Sequence, residues 1–167
     1  MPRNGITLRP QTDADREFLA GLYAGTREEE LKQTDWTDVL KRQFCRSQFD
    51  AQCDHYAQHY PDASFDVIER DGVPVGRLYV YRSDPHDIRI VDISLVAEAR
   101  GTGLGTELLL EIMRESEAAG KSLSIHVERF NPALRLYKRL GFEHVDEHGV
   151  YFLMRWTPAG SKTNPAP

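Results

Sequence analysis

Apolar and polar residues alternate from the start of the chain, so that Ile6-Thr7-Leu8-Arg9 reads as a short strand ended by Pro10. Thr12-Asp13-Ala14-Asp15 then offers an N-cap with an acid three residues on. Phe18, Leu19, Leu22 and Tyr23 recur at helical spacing to about Ala24. The charged stretch Arg27-Glu28-Glu29-Glu30 separates this helix from a longer one expected from Asp35 to about Tyr60. The apolar stripe of that second helix is interrupted enough to allow a break. Residues 65–69 alternate as a strand, and Asp71-Gly72 is a strong hairpin signal, with residues 75–81 as the returning partner. Beyond an Asp84-Pro85-His86 turn, residues 88–96 form a β-branched strand. A helix over residues 103–119 buries Leu104, Leu108, Ile112 and Met113 and stops at Gly120. A strand over residues 122–127, a short helix over 132–140 closed by Gly141, and strands over 142–145 and 150–156 complete the pattern.

The order is therefore β-α-α-β-β-β-α-β-α-β-β, an antiparallel meander followed by a β-α-β crossover. It predicts a single α/β (α+β) domain over residues 1–156 with a mixed sheet. Residues 157–167, rich in Pro, Gly, Ser and Lys, read as a disordered tail. The chain has 167 residues, 40% hydrophobic and 28% charged, enough for one ordinary core. With 21 Lys and Arg against 26 Asp and Glu, its net charge of -5 argues against a nucleic-acid partner. Neither a membrane-spanning run nor a signal-peptide core is visible, which points to a cytoplasmic protein. Cys45 and Cys53 lie on one expected helix about 12 Å apart, too far to pair within it.

Chemistry concentrates in Arg100-Gly101-Thr102-Gly103-Leu104-Gly105-Thr106, between a buried strand and an amphipathic helix. Alternate glycines let backbone N–H groups approach a ligand, and the helix start favours a phosphate or pyrophosphate. Arg100 adds a cation that can fork onto phosphate oxygens. The third glycine falls one residue early for a dinucleotide fingerprint, and a P-loop would need a lysine that is absent here. A nicotinamide-dependent oxidoreductase stays a remote alternative, with Glu128 as its ribose-binding acid.

The run Arg100 to Gly105 resembles R-x-x-G-x-G, the pyrophosphate signature of the GNAT superfamily of acyl-CoA-dependent N-acyltransferases. Asn131-Pro132-Ala133-Leu134-Arg135-Leu136-Tyr137-Lys138-Arg139-Leu140-Gly141-Phe142 is similar to that superfamily's second signature, roughly N-x-x-A-x-x-L-Y-x-x-x-G-F. The likeness extends over residues 6–156 and is weakest over 26–61. It implies a mixed, mostly antiparallel sheet of about seven strands, splayed between the fourth and fifth and flanked by about four helices. It also implies acetyl transfer from acetyl-CoA, without a metal, to a small-molecule or peptide amine by direct attack through a tetrahedral intermediate. The alternative is a non-catalytic acyl-CoA-binding module, and a homodimer stays open.

Carried over by position, the main chain of Ile93 and Leu95 holds the pantetheine arm as an added strand. Arg100, Gly101, Thr102, Gly103, Leu104, Gly105 and Thr106 hold the pyrophosphate. A backbone N–H near Ile93 polarises the thioester carbonyl. Tyr137 becomes the general acid that protonates the departing thiolate. Asn131, six residues before that tyrosine rather than seven, binds pantetheine or caps the helix. Many members carry a glutamate base near the position of Arg89, leaving Asp92, His126 and Glu128 as base candidates here. Glu28-Glu29-Glu30 either borders the acceptor site or is a solvated charge run, and Tyr23, Trp36 and Tyr79 either line that pocket or fill core. His55 and His59 share a helix face but lack a third ligand for zinc.

Overall fold

The computed structural model describes residues 5–161. Its strands are β1 (Ile6–Pro10), β2 (Ser64–Arg70), β3 (Val73–Tyr81), β4 (Asp87–Leu95), β5 (Ser122–Glu128), β6 (Glu143–His148) and β7 (Tyr151–Trp156). Its helices are α1 (Arg16–Lys32), α2 (Asp38–His59), α3 (Leu104–Ala119) and α4 (Leu134–Arg139). The strands hydrogen-bond in the order β1-β2-β3-β4-β5-β7-β6, with β4 and β5 parallel and the pairs β1–β2, β5–β7 and β6–β7 antiparallel. The expected element order and mixed sheet are both present. The chain forms two compact units, residues 1–79 with 93–100, and residues 80–92 with 101–167.

In the first unit β1 lies antiparallel to β2, from Ile6↔Arg70 to Pro10↔Asp66. Asp71 and Gly72 both have positive φ, 52° and 81°, as a two-residue hairpin turn of this twist requires. Leu19 and Tyr23 of α1 pack against Phe49 of α2, with Phe18, Ala20 and Cys53 at the margin. Helix α1 does not stop near Ala24. It runs eight residues further to Lys32, because the charged stretch satisfies itself one turn apart: Arg27 pairs with Glu30 at 2.9 Å and Lys32 with Glu29 at 3.0 Å. Leu31 is buried behind them. Helix α2 is continuous over 22 residues, opened by Thr37, whose hydroxyl accepts from the Leu40 amide at 3.2 Å.

The second unit is organised around β5, which pairs with β4 on one side and with β7 on the other. Helix α3 buries Leu104, Leu108, Leu109, Ile112 and Met113, one more leucine than its spacing suggested. Helix α4 begins at Leu134, two residues later than expected, because the Asn131 side chain first accepts from the Ala133 amide at 2.9 Å. At its far end Gly141 adopts φ 100° and the Phe142 amide donates to the Tyr137 carbonyl at 3.0 Å, so Phe142 is buried. The closing strands turn at Gly149, and β6 carries an irregularity between His144 and Asp146. In the expected tail Pro158 is buried and Ala159–Ser161 form a short helical turn; residues 162–167 lie outside the described residues.

Candidate active site

The glycine turn folds as a ready anion cradle. Gly101 and Gly103 both have positive φ, 71° and 86°, and a Cβ at either would meet nothing within 4 Å. Gly103 is the N-cap of α3, whose first intrahelical donor is the Glu107 amide, bonding back to Gly103 at 3.0 Å. The amides of Leu104, Gly105 and Thr106 thus precede the ladder, and among the described residues no side chain caps the helix start. A helix of 16 residues stands behind these donors and adds its positive end. In the first unit, Ala97–Ala99 make a short helical turn, and Arg100 folds back so that its Nε donates to the Leu95 carbonyl at 3.0 Å. Ile93 and Leu95 are half-buried on β4.

In the second unit, the parallel pairing runs only from Asp87↔Ser122 to Ile90↔Ile125. Strand β4 continues to Leu95, and β5 continues to Glu128 in register with β7. The paired stretch thus ends with two strands still to run. His126 is the first residue of β5 past the last pair.

Tyr137 sits on α4 with its ring buried, 5.5 Å from the Phe142 ring. Burial, and then the negative charge of Asp92, push its phenol well above the ordinary tyrosine range. Among the described residues its hydroxyl makes no intramolecular hydrogen bond. The phenol stays protonated at neutral pH with its O–H uncommitted, so it can donate a hydrogen bond, although burial makes it a weaker acid than a free tyrosine.

The three base candidates differ. Asp92 is half-buried and electrostatically close to Tyr137. Glu128 is exposed at the end of β5. His126 is held in one protonation state by Arg89, whose Nη1 lies 3.2 Å from the imidazole Nδ1. A guanidinium has only donors, so Nδ1 must be the lone-pair nitrogen and Nε2 must carry the proton. Desolvation, then the charges of Arg89 and His148, hold the ring's pKa below its usual value against the opposing pull of Asp146. With its lone pair engaged, His126 is poorly set to accept a proton from an amine.

Behind Arg89 lies a polar chain that strand alternation could have revealed but that the sequence reading passed over. Arg89 Nε donates to the Ser124 hydroxyl at 2.7 Å, Ser124 donates to Asp87, and Ser122 donates to the same carboxylate at 2.6 Å. Asp87-x-Arg89 and Ser122-x-Ser124-x-His126 each place polar groups on alternate residues of strands that otherwise bury Ile88, Ile90, Leu123 and Ile125.

The Asn131 Oδ1 accepts from the Ala133 amide at 2.9 Å in a turn just before α4, leaving its amide N–H groups outside that bond. Tyr23 and Tyr79 are buried core residues, while Trp36 is 40% exposed and edge-on to Phe44 at 5.3 Å. The triple glutamate divides, with Glu29 and Glu30 paired to Lys32 and Arg27, and Glu28 lining a groove of about 350 Å³ in the first unit. Glu17, Gly21, Gly25, Glu98 and Arg100 share that groove. The His59 Nδ1 lies 2.9 Å from the His55 carbonyl and so carries a proton toward it. Among the described residues no group of three His, Cys, Asp or Glu could hold a metal ion, and no helix is long and apolar enough to cross a membrane.

Residues 28–142 match the model of the Acetyltransferase (GNAT) family. Three of the solved structures similar in fold are likenesses of fold alone, each at under 20% identity. The PaiA N-acetyltransferase of Thermoplasma acidophilum, in complex with coenzyme A, superposes with a TM-score of 0.69 at 18% identity, over 92% of this chain and 99% of its own. A GNAT family acetyltransferase of Elizabethkingia anophelis with acetyl-CoA bound gives 0.60 at 17% identity, over 93% and 100%. Arabidopsis thaliana Naa50, in complex with the bisubstrate analogue CoA-Ac-MVNAL, gives 0.59 at 17% identity, over 92% and 99%. No curated protein matches the sequence.

Proposed function

The chain belongs to the GNAT acetyltransferase family and is an acyltransferase, and from that premise we propose that it moves an acetyl group from acetyl-CoA to a primary amine by direct attack, with no acyl-enzyme. Acetyl-CoA supplies an activated acyl group and a thiolate leaving group. The uncapped amides of Leu104, Gly105 and Thr106, opened by Gly101 and Gly103, suit its pyrophosphate. The main chain of Ile93 and Leu95 is assigned to the pantetheine arm, and Arg100 and Thr102 to the phosphates. Solved relatives of the same fold carry coenzyme A or acetyl-CoA, which supports the donor.

The observation that carries the reading is the end of the β4–β5 pairing at Ile90↔Ile125. Beyond that pair the ladder gives β4 no β5 partner, which suits a ligand that adds to it as an extra strand. Tyr137, protonated at neutral pH, donates its proton to the departing sulfur and recovers one from solvent. Asp92 and Glu128 are the carboxylates left to take the proton of the incoming amine, directly or through water. Two free cysteines, Cys45 and Cys53, whose thiols burial makes harder to ionise, are compatible with action in a reducing cytoplasm.

Two measurements test this. Calorimetry should give a binding heat with acetyl-CoA, and a panel of primary amines should include one that releases the coenzyme A thiol catalytically. Absence of any heat at millimolar acetyl-CoA with folded protein would overturn the donor assignment. Heat without thiol release from any amine would overturn the transfer.

A further inference from the structure

Arg89 is a cation held by neutral partners. Its Nε donates to the Ser124 hydroxyl at 2.7 Å and its Nη1 to the His126 ring at 3.2 Å, and among the described residues no carboxylate pairs with it directly. The nearest acid along the chain of hydrogen bonds, Asp87, is already served by Ser122, by Ser124 and, at 3.9 Å, by Arg155. Asp146, the carboxylate near His126, is engaged by His148 at 3.1 Å. A guanidinium has five N–H donors, and only two are used here.

The contact also fixes what His126 offers. Because Nδ1 accepts from Arg89, the ring's proton sits on Nε2, which points away from the guanidinium, so His126 orients Arg89. Both residues stand where the parallel pairing stops: Arg89 one position before the last pair, His126 one position after it. A half-buried guanidinium fixed by two neutral partners and with N–H groups to spare recognises an anion, and its fork fits the planar carboxylate best.

We propose that Arg89, its guanidinium held by Ser124 and His126, binds a carboxylate of the acyl acceptor, so that the acceptor is an amine that also carries a carboxylate, as a free amino acid does. This assignment rests on the acetyltransferase reading. It replaces the base that the sequence resemblance would have put at Arg89 with a specificity-determining cation. Ser124, His126 and Asp87 are positioning residues, since they reach the acceptor only through the guanidinium.

The test pairs the twenty common L-amino acids with their α-amides, followed by thiol release from acetyl-CoA. The acid forms should be used at least about tenfold better in kcat/KM than the amides. Arg89→Met should erase that ratio mainly through KM for the acid forms, and Arg89→Lys should restore part of it. Equal use of acids and amides, or a preference that survives Arg89→Met, overturns the proposal. Binding of acetyl-CoA with no turnover in either arm overturns it too, whereas absence of acetyl-CoA binding marks the failure of the underlying reading. Independently of turnover, the ¹⁵N spectrum of the whole protein should show His126 as the Nε2–H tautomer near neutral pH. An Nδ1–H tautomer there overturns the donor arrangement.

Discussion

At the scale of single residues, catalytic assignment turns on which groups hold a proton and which have a lone pair to spare. Tyr137 has the first property. Its phenol is buried against Phe142, pushed up in pKa, and free of any intramolecular bond among the described residues. Removing that hydroxyl therefore breaks no contact in the fold, and Tyr137→Phe should leave the melting temperature within about 2 °C of the parent. It should nevertheless lower kcat at least about 100-fold, with KM for acetyl-CoA within about twofold. Equal losses in kcat and in acetyl-CoA affinity would make Tyr137 a packing residue instead. Because burial and Asp92 both raise the phenol's pKa, no loss of kcat below pH 10 should trace to this residue, and the alkaline limb of the parent should persist in the variant. His126 lacks the second property, since its lone pair faces Arg89. A sequence shows a histidine on a strand; it does not show the guanidinium that decides the tautomer, because the two lie 37 positions apart.

At the scale of elements, backbone geometry carries the predictions, and it also marks the limit of what the sequence makes legible. Turns written by glycine were readable, because positive φ excludes most other residues: Asp71-Gly72, Gly120 and Gly141 all stand where expected. The extent of α1 was not readable from apolar spacing, since its last turns rest on Arg27–Glu30 and Lys32–Glu29 pairs that look like a solvated loop in one dimension. Gly76 was missed, although a glycine within a strand signals close backbone approach. A Cβ there would lie 2.3 Å from the Ser94 carbonyl oxygen and 2.8 Å from Leu95 Cδ2. Gly76→Ala must move the β4 backbone beside Leu95 and should cost about 1–3 kcal/mol in urea unfolding. An unchanged midpoint would mean that β4 yields freely there. Gly103→Ala tests the cradle in the opposite way. Open space surrounds its Cβ position, so only the strained φ of 86° costs stability, about 1 kcal/mol. If the turn holds the pyrophosphate, a side chain and altered backbone at its N-cap should raise Kd for acetyl-CoA at least about tenfold in calorimetry. Unaltered affinity in a folded variant would remove the glycine turn from the site.

At the scale of the whole molecule, a formal charge of -5 makes the response to acid a contest between two effects. Protonating surface carboxylates first relieves self-repulsion and favours the folded state. Any net loss of stability in mild acid must then come from particular carboxylates whose pKa folding depresses. Asp15 is the foremost of these. It is buried, it accepts both Arg9 Nη1 and Nη2 at 2.8 Å, and it accepts the Thr12 amide at 2.8 Å. The Arg9 hydrogen bonds, and then the Thr12 amide, hold its carboxyl well below the usual range. Asp84 is lowered in the same direction by the His86 amide, but it is exposed at a turn and carries little weight. The sign follows from proton counting. An aspartate titrates near 4 in the unfolded chain and lower in the folded one, so between those values the unfolded state binds more protons and stability falls as pH falls. The contribution of Asp15 is fully present above about pH 5, and it drains away as pH drops through and below about 4. Asp15→Asn should therefore be less stable than the parent at pH 7 by about 1–3 kcal/mol, discounted for the part-exposed Arg9. That deficit should shrink as both proteins are taken from pH 6 to pH 2.5 in urea titrations. Parallel stability profiles across that window would show that the Arg9–Asp15 pair does not set the acid limit, and that the loss is spread over many exposed carboxylates.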